Sequence, residues 1–317
     1  MFTTVALLKM RVTAARVIAD RIIEITLEDA TGRDLPAWQP GAHVELRLPS
    51  GLLRQYSLCG DPADLRSYTI AVLNEPEGRG GSREIHEIAT AEAIFEVRPP
   101  KNNFELVDAD NYVFIGGGIG ITPMIPMVSE ARRRGAGWRL IYGGRTESSM
   151  AYRETIAAHG DAVDLWVEAE RGHPDLRRIL AEAPAGAEIY TCGPGAMIDA
   201  VAEEFAEHDH LGALHFERFA ASGPIDHSGE SFEVELAQSG ITLTIPDGAT
   251  ILGEVRKVLP EQPFSCEEGY CGECETPVLD GTPDHRDDYL TEDEQAANDV
   301  MMICTSRCKG ARLVLDL

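Results

Sequence analysis

The rhythm of apolar and polar positions changes twice along the chain. Up to about residue 105 it has a period of two. Ile23, Ile25 and Leu27 alternate with polar neighbours, with Val17, Ile18 and Ile22 just upstream, and His43-Val44-Glu45-Leu46-Arg47-Leu48 alternates as a half-buried strand should. An apolar run over 68–73 is followed by the turn Glu77-Gly78-Arg79-Gly80-Gly81-Ser82. Short strands punctuated by Gly and Pro predict an antiparallel β-barrel over 1–105. From 106 to 221, apolar strands at 112–115, 139–142, 163–167, 188–191 and 214–216 alternate with helix-compatible stretches at 123–134, 149–158, 175–183 and 195–207. That alternation predicts an α/β domain with a parallel sheet, which binds ligands at the carboxyl ends of its strands. Residues 222–230, rich in Gly, Ser and Pro, read as a linker. The last segment, 231–317, opens with a hairpin (232–236 and 241–245) and a helix over 249–258, then enters a cysteine-rich loop.

Composition narrows the function classes. The 317 residues carry 53 acidic against 28 basic side chains, a formal net charge of −25. Such a field repels nucleic-acid phosphates and anionic lipid. The basic run Arg132-Arg133-Arg134 falls at a helix end, where it suits the helix dipole and solvent. No apolar run approaches the roughly 18 residues that a membrane span needs. The first ten residues lack signal-peptide order, so a cytoplasmic location is expected. The last segment holds a disproportionate share of the acidic excess, which suits a basic docking partner or simple solubility. Seven cysteines, five of them between Cys266 and Cys308, do not form the pattern of a disulfide scaffold. The nine histidines show no ligand spacing.

The strongest chemical signal is Cys266-Glu-Glu-Gly-Tyr-Cys271-Gly-Glu-Cys274 with Cys304 downstream. This is C-x4-C-x2-C plus a distant fourth cysteine, the spacing of plant-type [2Fe–2S] proteins. Three thiolates come from one tight loop, and Gly269 and Gly272 let backbone pass close to the sulfides. Zinc would usually show paired C-x2-C knuckles, and only Cys271 and Cys274 form one. Cys308 is an alternative fourth ligand, but Met301-Met302-Ile303 leads directly into Cys304.

With this constellation in place, the whole chain resembles the phthalate dioxygenase reductase family, which includes the reductases of vanillate demethylase-type oxygenases. The resemblance implies a β-barrel that binds FMN, an α/β domain that binds NAD and an α+β, β-grasp ferredoxin domain, in that order. Arg54-Gln55-Tyr56-Ser57 matches the family's R-x-Y-S flavin motif. By resemblance Arg54 pairs the phosphate, Tyr56 stacks on the isoalloxazine and Ser57 bonds near its reactive nitrogen. Gly80, Gly81 and Ser82 would grip the FMN phosphate, and Ala71, Val72 and Leu73 would line the flavin edge. No extra loop for an AMP moiety follows Ser82, which favours FMN over FAD.

Ile115-Gly116-Gly117-Gly118-Ile119-Gly120-Ile121-Thr122-Pro123 departs from the G-x-G-x-x-G fingerprint. It resembles the G-G-x-G-x-T-P turn of ferredoxin-reductase-like proteins, in which Gly117, Gly118 and Gly120 allow close approach, Thr122 bonds to flavin or dinucleotide and Pro123 takes the first helical position. Cys192-Gly193-Pro194 would lie beside the nicotinamide, with Cys192 near the hydride path; no sequence-placed base marks Cys192 as a nucleophile. Glu217 and Phe219 would face the nicotinamide and the flavin. Arg145 would contact the pyrophosphate, or a 2′-phosphate if the donor were NADPH; the family favours NADH. The implied activity is hydride transfer from NADH to FMN held by Ser57 and Thr122, then single electrons to the cluster and on to a terminal oxygenase of Rieske type, with the reductase a monomer. A di-iron hydroxylase, a cytochrome, or a non-catalytic flavin/iron–sulfur redox sensor are the alternatives.

Overall fold

The computed structural model describes residues 7–317; the first six residues of the expected first domain lie outside the described residues. Contacts divide the chain into two units, one ending at Phe219 and the other comprising Ala220–Leu317.

The first unit contains two sheets. Strands β1 (Leu8–Ala19), β2 (Ile22–Asp29), β3 (Ala42–Arg47), β4 (Leu53–Ser57), β5 (Ser67–Leu73) and, after helix α1 (Gly81–Ile88), β6 (Ile94–Asn102) form an antiparallel sheet in the order β4-β3-β6-β1-β2-β5. A bridge between Leu58 and Ile70 joins its two outer strands. β1 is longer than the expected short strands, and register shifts at Val12/Ala14 and Val17/Ala19 let it bend. Val12, Ile25, Leu27, Val44, Leu46, Ile70, Val72, Phe95 and Val97 fill the core at alternate positions. Two features depart from expectation. The Gly80 turn runs straight into α1. β3 is buried on both faces, since its polar His43 and Glu45 are covered as well, Glu45 by an ion pair to Arg98 at 2.7 Å.

The second sheet is entirely parallel. Its elements are β7 (Asn111–Gly117), α2 (Met124–Arg134), β8 (Gly137–Gly144), α3 (Arg153–Ala157), β9 (Val163–Val167), α4 (Glu168–Arg171), α5 (Leu176–Ala181), β10 (Glu188–Cys192), α6 (Gly195–Phe205) and β11 (Leu214–Glu217), with strand order β11-β10-β7-β8-β9. Pro123 caps α2 one residue before its first turn. Arg133 and Arg134 pair with Glu130 of α2, as a solvated last turn should. The expected helix over 149–158 is cut to α3 because Tyr152 adopts a left-handed φ of 58°. Tyr152 instead packs with Ile22, Ala71, Leu73 and Ile119, which joins the two sheets, and its hydroxyl lies 3.3 Å from the Cys59 thiol.

The second unit comprises β12 (Phe232–Leu236), β13 (Ile241–Ile245), α7 (Ile251–Val258), β14 (Glu275–Asp280), β15 (Pro283–Asp284), α8 (Glu292–Ala297), β16 (Val300–Met302), β17 (Arg307–Cys308) and β18 (Arg312–Leu315). A five-stranded mixed sheet runs β13-β12-β18-β14-β16, with β12 and β18 parallel. α7 starts at Ile251, capped by Thr250, whose hydroxyl accepts from Gly253 N–H. Residues 222–230, expected to be a linker, are strapped to this unit. Arg286 donates to the carbonyls of Asp226 and Ser228, Arg307 to those of Gly229 and Glu230, and Asp288 accepts from Ser222. Arg307 is 2% exposed and finds its acceptors on backbone carbonyls, including those of Ala249 and Pro246. Burying a guanidinium is tolerable only because its donors are met in this way.

Candidate redox site

The cluster cysteines are brought together by strand pairing. β14 follows Cys274 at once, β16 ends two residues before Cys304, and Glu275 pairs with Met302. The pairing therefore sets Cys274 beside Cys304. The four thiols are buried and interact in pairs, Cys266 with Cys271 and with Cys304, and Cys304 with Cys274. Glu268 N–H donates to Cys266 Sγ at 3.2 Å. These contacts hold the Cys266 thiol low, whereas Cys271 and Cys304, its partners, are pushed up. Among the described residues, no group of three or more His, Cys, Asp or Glu side chains is arranged around one point as a mononuclear ion would need. A two-iron cluster held by four cysteines asks less than that of each iron, so pairwise thiols suit it.

The loop is shaped for the purpose. Glu267, Gly269 and Gly272 have φ of 56°, 77° and 76°, and the N–H that follows the first of them, that of Glu268, bonds to Cys266 Sγ. A Cβ on Gly272 would lie 2.4 Å from the Tyr289 ring, and one on Gly269 2.7 Å from Thr305 Oγ1. Cys308 lies on the edge strand β17, its sulfur taken by Gly310 N–H at 3.2 Å, apart from the thiol chain.

The flavin-motif residues end β4 and meet α1. Arg54 lies against Gly81 at the start of α1, where a Cβ would be 2.6 Å from its Nε and would push the arginine side chain aside. Gly80 takes a φ of 92°, and no side chain caps the first N–H groups of α1. An arginine beside an uncapped helix N-terminus fits a phosphate. Ser82 Oγ accepts from Glu75 N–H at 3.0 Å and steadies the turn. Val72 O is held by His86 Nε2 at 2.9 Å, and Ala71 and Leu73 pack against Ala151 and Ile119. Tyr56 is half-buried, and burial raises its phenol.

The carboxyl edge of the parallel sheet gathers the remaining residues. Cys192 pairs with Gly116 on one side and Glu217 on the other. The glycines at this edge serve packing between turns. A Cβ on Gly120 would lie 2.2 Å from Cys192 O, one on Gly117 would lie 2.8 Å from Pro194 Cδ and Met197 Sδ, and one on Gly193 would lie 3.0 Å from Gly117 Cα. Gly118 alone of these faces open space, with φ of 54°. Thr122 donates its hydroxyl proton to Ile119 O at 3.0 Å, which leaves it only acceptor sites. Cys192 is fully buried, and burial with Glu217 nearby pushes its thiol well up, the wrong direction for a nucleophile. Glu217 accepts a 3.4 Å hydrogen bond from Ser57 Oγ, and its enclosed carboxyl is raised to about 8 by burial. Phe219 packs on the core of the parallel sheet, and Arg145 is exposed beyond β8. Met197 and Tyr289, which press on glycines of the two sites, carried no signal in the sequence, because each meets its glycine through tertiary contact.

Comparison with known proteins agrees with this geometry. Residues 234–309 match the 2Fe-2S iron-sulfur cluster binding domain family, and residues 114–203 match the oxidoreductase NAD-binding domain family. The chain is 43% identical over 318 residues to the phenoxybenzoate dioxygenase subunit beta of Ectopseudomonas oleovorans, covering 99% of this chain and 98% of that one. It is 34% identical over 316 residues to the phthalate dioxygenase reductase of Burkholderia cepacia, covering 98% and 97%. A solved phthalate dioxygenase reductase, described as a modular structure for electron transfer from pyridine nucleotides to [2Fe-2S], superposes with a TM-score of 0.75 at 33% identity over 98% of both chains. An intact type IV self-sufficient cytochrome P450 monooxygenase superposes with a TM-score of 0.85 at 40% identity; this chain spans 42% of that longer one. The chain belongs to the phthalate dioxygenase reductase family of NAD(P)H-dependent iron–sulfur flavoprotein oxidoreductases.

Proposed function

We propose that this protein is the reductase component of a Rieske-type oxygenase system, taking hydride from NADH onto FMN and sending single electrons through a [2Fe–2S] cluster to the oxygenase. The observation that carries this reading is the chain of four buried thiols at Cys266, Cys271, Cys274 and Cys304. In this reading the antiparallel sheet (to residue 105) is an FMN barrel, residues 106–221 bind the nicotinamide dinucleotide and 231–317 form a β-grasp ferredoxin domain, the whole working as a cytoplasmic monomer. No helix among the described residues is long and apolar enough to cross a membrane. When bound, the flavin supplies the conversion of a two-electron hydride into single electrons.

The chain's own residues position and enclose. Arg54 and the α1 N-terminus hold the phosphate, Tyr56 covers the ring, and Ser57 and Thr122 orient its reactive edge. Gly117, Gly118, Gly120, Pro123, Gly193 and Pro194 let the dinucleotide approach, Cys192 and Glu217 flank the nicotinamide, Phe219 closes the flavin side and Arg145 meets the phosphates. Plant-type clusters lie near about −400 mV and Rieske centres at about −150 mV or above, so delivery is downhill by roughly 6 kcal/mol per electron. The oxygenase systems named for the relatives support an oxygenase partner. A second reading, a haem monooxygenase as acceptor, is favoured by the likeness to the P450 chain.

Anaerobic titration with NADH, followed by absorbance and EPR and then by flavin extraction, tests the proposal. It expects FMN in the extract, a reduced-cluster signal and transfer to a Rieske centre. Extracted FAD, a cluster that stays oxidised, or transfer to a P450 but to no Rieske centre would overturn it.

A further inference from the structure

Between the two sheets of the first unit lies a small apolar seam that the site described so far does not use. Its buried members are Ile22, Cys59, Ala71 and Ala151, and Leu73, Ile119 and Tyr152 pack against them. Ala71 and Leu73 belong to β5, the strand read as lining the flavin edge, and Ile119 belongs to the glycine turn read as taking the nicotinamide. β5 and the turn Gly118–Ile121 lie against each other. On that reading, the width of the seam sets how far the hydride donor stands from its acceptor.

Tyr152 enters the seam from the segment that follows β8. It is a bulky side chain at a φ of 58°, a conformation that is costly for any residue with a Cβ. Such strain persists only where the surrounding contacts over-determine it. Here those contacts come from the antiparallel sheet. The Tyr152 hydroxyl lies 3.3 Å from Cys59 Sγ, and the thiol gives its own proton to Thr69 O at 3.4 Å. The sulfur is thereby left as an acceptor. Glu24, buried on β2 and paired with Arg16 at 2.8 Å, interacts with both the phenol and the thiol. Burial pushes the thiol up to about 12 and the phenol above its usual range, so both are neutral and the phenol keeps a proton to donate. A second tie joins the same segment to the turn between β1 and β2. Asp20 N–H donates to Ser148 O at 2.8 Å, and the Ser148 hydroxyl donates to the Asp20 carboxylate.

We propose that Tyr152 is a positioning residue for hydride transfer: its hydroxyl, anchored at Cys59 and Glu24, fixes the parallel sheet against the antiparallel one and so holds the turn Gly118–Ile121 at its working distance from β5. The proposal rests on the reading of β5 as flavin-lining and of this turn as a nicotinamide contact. Tyr152 acts through the seam rather than on either cofactor. Loss of the hydroxyl lets the seam widen by a fraction of an ångström, which leaves both cofactors bound and lengthens the path between them.

The test uses the full protein loaded with flavin and cluster, and compares Tyr152→Phe with Gly120→Ala, which displaces the same turn from its Cys192 side. Anaerobic stopped-flow gives the limiting rate of flavin reduction by NADH and the dissociation constant of NADH. Tyr152→Phe should lower the limiting rate about three- to tenfold, part of the roughly 100-fold that a 1 Å misplacement costs. The dissociation constant and the flavin content should hold, as should the rate of reduction by dithionite, which needs no nicotinamide alignment. The long-wavelength charge-transfer absorbance of the NADH–flavin complex should weaken. If Gly120→Ala slows reduction by NADH and Tyr152→Phe does not, the role of Tyr152 is refuted. Equal slowing with NADH and with dithionite refutes it too, since that is a general loss of structure. If Gly120→Ala leaves reduction by NADH unmoved, the underlying reading of the turn fails, and the proposal with it. Should Tyr152→Phe not retain flavin, Cys59→Ala, which removes the 3.3 Å contact from the other side, decides on the same measurements: slower reduction by NADH alone supports the anchor, and an unchanged rate refutes it.

Discussion

Replacing Gly120 by alanine should separate two turns that the nucleotide site needs in contact. The new Cβ would stand 2.2 Å from Cys192 O and 2.6 Å from Gly193 N, both backbone atoms that cannot rotate away. Ordinary contact begins near 3.4 Å, so the turn after β7 and the turn after β10 must part by about 1.2 Å. Overpacking of this kind costs about 1–3 kcal/mol of stability. For a unit of this size that is a fall in melting temperature of roughly 2–12 °C. The kinetic effect is larger, since on the proposed reading these turns align hydride donor and acceptor, where a misplacement near 1 Å costs on the order of 100-fold. Stopped-flow reduction of the bound flavin by NADH reads the rate, and differential scanning fluorimetry reads the stability. Gly135→Ala, at the end of α2, is the control: its Cβ meets nothing within 4 Å, and it bears only the strain of a φ of 72°, about 1–2 kcal/mol. That variant should lose stability and keep its rate. A Gly120→Ala protein that reduces flavin within roughly threefold of the parent, a difference under about 0.7 kcal/mol, would refute the claim that these glycines exist for turn-to-turn packing.

Two further outcomes follow from the site. Cys304→Ala should abolish the cluster's visible absorption and its reduced EPR signal, whereas Cys308→Ala, which removes a thiol bonded to the backbone of Gly310 and Arg312, should retain both; the reverse result would move the fourth ligand. The carboxyl of Glu217 is raised from 4.5 to about 8 on folding, so between those values the folded state binds more protons than the unfolded one and stability falls as pH rises. Glu217→Gln should flatten that decline in a series of melting curves from pH 4.5 to pH 8, and a slope equal to the parent's would show that Glu217 is not the group responsible.

Local pattern determined much of this protein. The parallel sheet, the hairpin from Phe232 to Ile245, the cysteine spacing and the glycine turns all follow from neighbours in sequence, because period, turn chemistry and ligand spacing are short-range properties. The short helix α1 escaped because its glycine start reads as a turn, and helix 149–158 was overextended because Tyr152 leaves the helical region to meet Cys59, some ninety residues away. Residues 222–230 have linker composition, yet Arg286 and Arg307 tie their carbonyls to the cluster-bearing unit. His43 looked like the solvent face of a half-buried strand. Only the register of β3 against β4 and β6, and the cover over its polar face, set it buried beside Ser57. What a strand's second face meets depends on long-range packing, so motif spacing could announce the cofactors while tertiary structure alone decided which side chains stand buried beside the motif residues.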